Sequence, residues 1–142
     1  MQRIMVATDG SDGADRAIDI GSRIAAATGS ELILLNVADA LSGDEMRQLA
    51  RAERDVGDAL ETLSTQLLLR AKARAQSAGA PKISLQTAWG DPAEAIIEVA
   101  AREQIDAVVV GRRGRGRLTG LLLGSVSQKI ASLAPCTVIV AP

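Results

Sequence analysis

Residues 111–127 read GRRGRGRLTGLLLGSVS. Gly111 and Gly114 stand two residues apart, and Gly124-Ser125 follows after nine more. Glycine lets a backbone turn tightly and come close to a ligand. A Gly-Ser pair opening a helix offers free N–H groups at the positive end of the helix dipole, which attracts phosphate. The hydroxyls of Ser125 and Ser127 can add hydrogen bonds. Arg112, Arg113, Arg115 and Arg117 can neutralise remaining negative charge. Arginine runs are also usual on solvated surfaces, so one or two of the four are expected to reach phosphate. The chemistry to which this stretch points is phosphate recognition.

Other chemistries are excluded by composition. The chain has no histidine, so a Ser-His-Asp triad and a histidine-based zinc site are ruled out. No catalytic residue and no metal-ligating residue is assigned. The formal net charge is -1, which draws the chain to neither nucleic acid nor an anionic membrane as a whole. With one Trp, no Phe and no Tyr, it lacks the rings that stack single-stranded bases. The arginine run alone is weak support for RNA binding. The single cysteine, Cys136, cannot form an intrachain disulfide, so a reducing, cytoplasmic setting is expected. Neither a signal peptide nor an apolar run of membrane-spanning length is read.

The elements that would position the loop follow from hydrophobic patterning. The 142 residues suit one domain, 1–142, with a core of Ile, Leu, Val and Ala. Strands are expected at 3–8 (RIMVAT), 31–37 (ELILLNV), 83–88 (ISLQTA), 106–110 (DAVVV) and 137–140 (TVIV, opened by Thr137 and closed by Val140). Apolar recurrence at three to four positions predicts helices over 12–28, about 48–78, 92 to about 103, and 124–133, with a loop at 39–46. Gly29 is placed to end the first helix. Asp91-Pro92-Ala93-Glu94 predicts a capped helix start with a capping box. Trp89 is expected as a partly buried anchor and Cys136 as a small buried hydrophobe.

Alternating strands and helices give a doubly wound parallel α/β sheet of five strands. The alternation in ISLQTA suits a strand nearer the edge, and the unbroken apolar runs suit strands covered on both faces. In such sheets ligands bind beyond the carboxyl ends of the strands, where strand order reverses. Strand one ends at Ala7-Thr8-Asp9-Gly10, strand two at Asn36-Val37 and strand four at Val110-Gly111. Asp9, placed to accept from a ribose, therefore converges with the glycine loop. Main chain near Val37 is available to an adenine edge. Asp9 is also a credible turn or cap residue.

The Gly111–Gly114–Gly124-Ser125 spacing resembles the nucleotide motif of the universal stress protein family. So do VATDGS at 6–11, LLNV at 34–37, GDPAEAI at 90–96, DAVVVGRRG at 106–114, LLLGSVSQKI at 121–130 and APCTVIV at 134–140. The resemblance implies a Rossmann-like fold of the adenine nucleotide alpha hydrolase kind, with strand order 3-2-1-4-5. It implies an ATP-binding stress-response regulator, with ADP or AMP as alternative ligands and Mg2+ held through the phosphates. By the same resemblance Asp9 and Gly111 would touch the ribose, and Val37 the adenine. Ala7 and Thr8 would line the base pocket, and Gly114, Gly124, Ser125 and Val126 would cradle the phosphates, with Ser127 beside them. It also implies a homodimer paired through the last strand, and an unidentified downstream protein partner. One departure is Arg112-Arg113, where family members often carry a small polar residue and then histidine. The competing reading is a slow Mg2+-dependent ATPase. Receiver, dinucleotide-binding, GxxxxGK[ST] and flavodoxin-like readings each lack their motif residues.

Overall fold

The computed structural model describes residues 1–38, 56–112 and 123–142. Among these residues, five strands alternate with four helices in this order: β1 (Arg3–Ala7), α1 (Asp12–Thr28), β2 (Glu31–Val37), α2 (Val56–Ser77), β3 (Lys82–Ala88), α3 (Pro92–Arg102), β4 (Ala107–Gly111), α4 (Ser125–Leu133) and β5 (Thr137–Ala141). The loop expected at 39–46 and the first turns of the helix expected from 48 lie outside the described residues. All pairings are parallel, and the strand order is β3-β2-β1-β4-β5.

The central strands are buried because their runs are apolar throughout. Ile4, Met5, Val6, Leu32, Leu34, Leu35, Val108 and Val109 are fully buried. Side chains alternate between the two faces of a strand. Met5, Ile33, Leu35, Val108 and Val110 therefore pack with Ile96 and Val99 of α3 and Ile130 of α4. Ile4, Val6, Leu32, Leu34 and Val109 pack with Ala17 and Ile18 of α1 and Leu68 and Ala71 of α2. Burying an aliphatic side chain of this size contributes about 1.5–3 kcal/mol, so both faces hold the helices firmly. β3 is an edge strand, and its residues after Lys82 are only partly buried, as their alternation predicts.

Helix ends follow local chemistry. Ser11 caps α1, accepting from Ala14 N at 3.2 Å, and Gly29 closes it. Asp91 caps α3, accepting from Glu94 N at 3.0 Å, with Pro92 opening the helix. The expected return half of that capping box is replaced. Glu94 Oε1 accepts from Lys129 Nζ of α4 at 3.2 Å instead. α1 lies close on β1: a Cβ on Gly21 would stand 2.6 Å from Val6 Cγ2. Cys136 packs partly against the α3–α4 cluster, and burial pushes its thiol pKa up. Trp89 differs from expectation: it is 49% exposed and joins neither core cluster, because β3 ends one residue before it.

Candidate functional site

The strand order reverses between β1 and β4, so the crevice beyond their carboxyl ends is where a ligand is expected. The chain leaves β1 through Thr8 and Asp9. Thr8 is buried and held on three sides: its N–H donates to Leu35 O at 2.8 Å, its carbonyl accepts from Asn36 Nδ2 at 2.8 Å, and its Oγ1 accepts from Gly10 N at 3.2 Å. Asp9 Oδ1 accepts from Ser11 N at 2.9 Å, so Asp9 shapes the turn while Ser11 caps the helix. Gly10 has φ +81°, a conformation that side chains resist, and Leu67 of α2 lies 3.2 Å from where its Cβ would be. Ala7 is half-buried at the end of β1, and Val37 is buried at the end of β2.

The two described halves of the glycine motif meet in space. Arg112 donates its N–H to Ala141 O at 2.7 Å and accepts from Gly124 N at 2.9 Å. The backbone thus closes a neck between the end of β4 and the start of α4. Ser127, buried in the first turn of α4, donates its hydroxyl to Gly111 O at 2.7 Å. Its proton is therefore committed to the neck, and only oxygen lone pairs face any further partner. Ser125 and Val126 are exposed at the helix start. Arg113 and Gly114 lie outside the described residues, as do Arg115 and Arg117.

Gly111 is required for a reason the spacing did not disclose. A Cβ there would stand 2.8 Å from Gly13 C and 2.9 Å from Gly13 O. The end of β4 and the first turn of α1 are in backbone contact, which brings Gly111 and Asp9 to one side of the crevice. Gly13 and Asn36 belong to the site as supports. Asn36 carried a signal, a lone polar residue ending an apolar run. Gly13, in DGSDGAD, carried none beyond being a glycine near a helix start.

Among the helices that start at this edge, α1, α3 and α4 differ in their first turns. α1 and α3 carry side-chain caps and acidic residues in their first turns, Asp12 and Asp15 in α1 and Glu94 in α3. α4 has Gly124 at its N-cap, no side-chain cap bond and no acid in its first turn. An uncapped helix start leaves first-turn N–H groups to other acceptors, and its dipole favours an anion. Among the described residues, no three His, Cys, Asp or Glu side chains gather into a metal site, and no helix is long and apolar enough to cross a membrane.

The chain and its fold resemble known proteins. The model of the universal stress protein family matches residues 1–142. A universal stress protein of Thermus aquaticus is 34% identical over 145 residues, which cover 96% of this chain and 95% of that protein. A solved universal stress protein in complex with cAMP is 30% identical, with a TM-score of 0.73 over 99% of this chain and 96% of that one. The universal stress protein UspA from Lactobacillus plantarum superposes with a TM-score of 0.80 over 99% of this chain and 97% of its own, at 22% identity, a likeness of fold. With the five-stranded order and the match over its whole length, the chain belongs to the universal stress protein family.

Proposed function

We propose that this chain binds an adenine nucleotide, ATP by preference, in the crevice between β1 and β4, and that it acts as a regulatory binder. The observation that carries the reading is the uncapped, acid-free start of α4, tied by Arg112 O and Ser127 Oγ to the end of β4. Phosphate would be held by the N–H groups of Ser125 and Val126 and by the Ser125 hydroxyl, with Gly124, its own N–H held on Arg112 O, leaving the helix start open to it. Gly114 and the guanidinium groups of Arg112 and Arg113 would complete the cradle. Asp9 would accept from ribose hydroxyls beside Gly111. Ala7 and Thr8 would line the base, with the main chain at Val37 against its polar edge. The relative solved with cAMP supports an adenine nucleotide as the class of ligand. Mg2+ would be held by the phosphates and would neutralise their charge. The chain's own part is to bind and orient.

The same reading has a homodimer paired through residues 137–140. β5 is the other edge strand, and Val138, Ile139 and Val140 keep part of their surfaces open.

The test is to release the small molecule that co-purifies with the protein, identify it by mass spectrometry, and titrate stripped protein with ATP, ADP, AMP and cAMP. An adenine nucleotide in the wild type, absent from a Gly114→Ala, Gly124→Ala double variant, is the expected result. An empty wild type that ignores all four nucleotides with Mg2+ present would refute the proposal.

A further inference from the structure

The one aromatic ring of the chain is an indole that the core does not use. Trp89 is 49% exposed and belongs to neither hydrophobic cluster, although it is the largest apolar side chain present. Its place in the fold is specific. The last residue of β3, Ala88, pairs with Val37, and Ala38 N donates to Ala88 O at 2.9 Å. Trp89 is the next residue. It therefore stands beside the carboxyl end of β2, about one strand spacing (~4.8 Å) from the main chain on which the base edge is proposed to rest.

The turn that follows keeps it there. Gly90 has φ +107°, and nothing lies within 4 Å of where its Cβ would be. The backbone angle, not crowding, requires glycine at 90. This left-handed residue swings the chain directly into Asp91, the cap of α3. The chain turns back onto the sheet immediately after Trp89, so Trp89 is held at the carboxyl edge of the sheet, beside the end of β2. Every other side chain assigned to the base region (Ala7, Thr8, Val37) is small or branched. None offers a flat π surface, which is what a purine face prefers.

We infer that Trp89 stacks on the purine base of the bound nucleotide and selects purine over pyrimidine nucleotides. The inference rests on the nucleotide reading above and extends it to the base. It also accounts for a large apolar ring left open to water at the carboxyl edge of the sheet.

The single indole makes the test direct. Full-length wild type, Trp89→Leu and Trp89→Phe are titrated with ATP, CTP and tripolyphosphate, by Trp emission for the wild type and by calorimetry for all three. The wild type is expected to show saturable quenching by ATP and tighter binding of ATP than of CTP. Trp89→Leu is expected to weaken ATP by roughly 5- to 150-fold, the loss of one base–aromatic stack, while tripolyphosphate binding and melting temperature stay the same. Trp89→Phe keeps most of the affinity. If the wild type binds ATP but Trp89→Leu binds it equally well, the stacking role is overturned and the nucleotide site stands, whether or not the emission moves. If ATP binding falls only together with tripolyphosphate binding, the ring acts on the fold and the inference fails. If the wild type binds none of the adenine nucleotides, the nucleotide reading itself falls.

Discussion

Replacing Gly124 with Asp separates two roles that an uncapped helix start can have. Gly124 sits at φ -64° and ψ 160°, an extended conformation open to any residue, so Asp introduces no backbone strain. Its carboxylate would accept from a first-turn amide of α4, as Asp91 does from Glu94 N at 3.0 Å in α3. Against glycine the cap bond is worth a few tenths of a kcal/mol, and a negative charge at the helix start adds about 0.3–1 kcal/mol. The variant should therefore be more stable by about 0.5–1 kcal/mol, a rise of roughly 1–4 °C in Tm for a chain of this size. The same carboxylate competes for the amides a phosphate needs and sets like charge against it. At about 5 Å and an effective dielectric of about 20, one such pair costs on the order of 3 kcal/mol before salt screening. With screening, ATP affinity should fall by at least about tenfold. Calorimetric melting and ATP titration of both proteins at ~0.1 M salt read the two effects separately. A higher Tm with unchanged ATP affinity would refute the placement of phosphate at α4. A lower Tm would refute the claim that the cap position is open.

Gly111→Ala should destabilise the protein by roughly 1–3 kcal/mol, seen as a lower urea midpoint, because the new methyl meets Gly13 backbone at 2.8–2.9 Å and neither chain can yield cheaply; an unchanged midpoint would show that the two backbones part without cost. Asp106 accepts from Gln2 N at 2.7 Å and Arg3 N at 2.8 Å, and these backbone bonds hold its pKa below the ordinary 3.8. A depressed folded value means stability that is present above the unfolded pKa and lost as pH falls through the folded one, so Asp106→Asn should flatten the acid limb of stability below about pH 4, measured by urea melts across pH. Arg74→Ala removes a two-pronged pair with Asp19, both bonds at 2.8 Å, but the side chains are 44% and 37% exposed. The loss should be only about 0.2–1 kcal/mol and should shrink in 1 M NaCl; a larger, salt-independent loss would mean that packing rather than charge joins α1 to α2 there.

The sheet was legible because its determinants are local. Unbroken apolar runs named the central strands, and ISLQTA named an edge. Asp91-Pro92 and Gly29 marked helix ends by chemistry confined to one turn. What was illegible depends on partners distant in sequence. Glu94 reads as half of a capping box until Lys129, 35 residues on, takes its carboxylate. Ser127 reads as a phosphate ligand until its hydroxyl is found on Gly111 O, 16 residues back. Gly111 reads as a ligand-approach glycine, and a side chain on it would meet the backbone of Gly13. Periodicity reports which face a residue occupies. It does not report what comes to meet it. Trp89 shows the same limit, because its exposure depends on where β3 stops and how Gly90 turns.

The Gly13–Gly111 contact does more than close the fold. It fixes the start of α1 against the end of β4, and the Arg112–Gly124 bond fixes the start of α4 against the same point. Two helix starts are thereby held side by side with opposite electrostatic character. The α1 side carries Asp9 and Asp12 and caps itself, so it favours hydrogen-bond donors over anions. The α4 side has no acid and no side-chain cap, so it favours anions. A ligand with hydroxyl donors at one end and phosphate at the other fits this polarity in one orientation only. Reversed, it would set phosphate against Asp9 and Asp12. A free inorganic phosphate would meet the α4 half alone. On the proposed reading the asymmetry would favour a nucleotide over a simple anion, and it arises from which of two neighbouring helices begins with Ser-Asp and which with Gly-Ser.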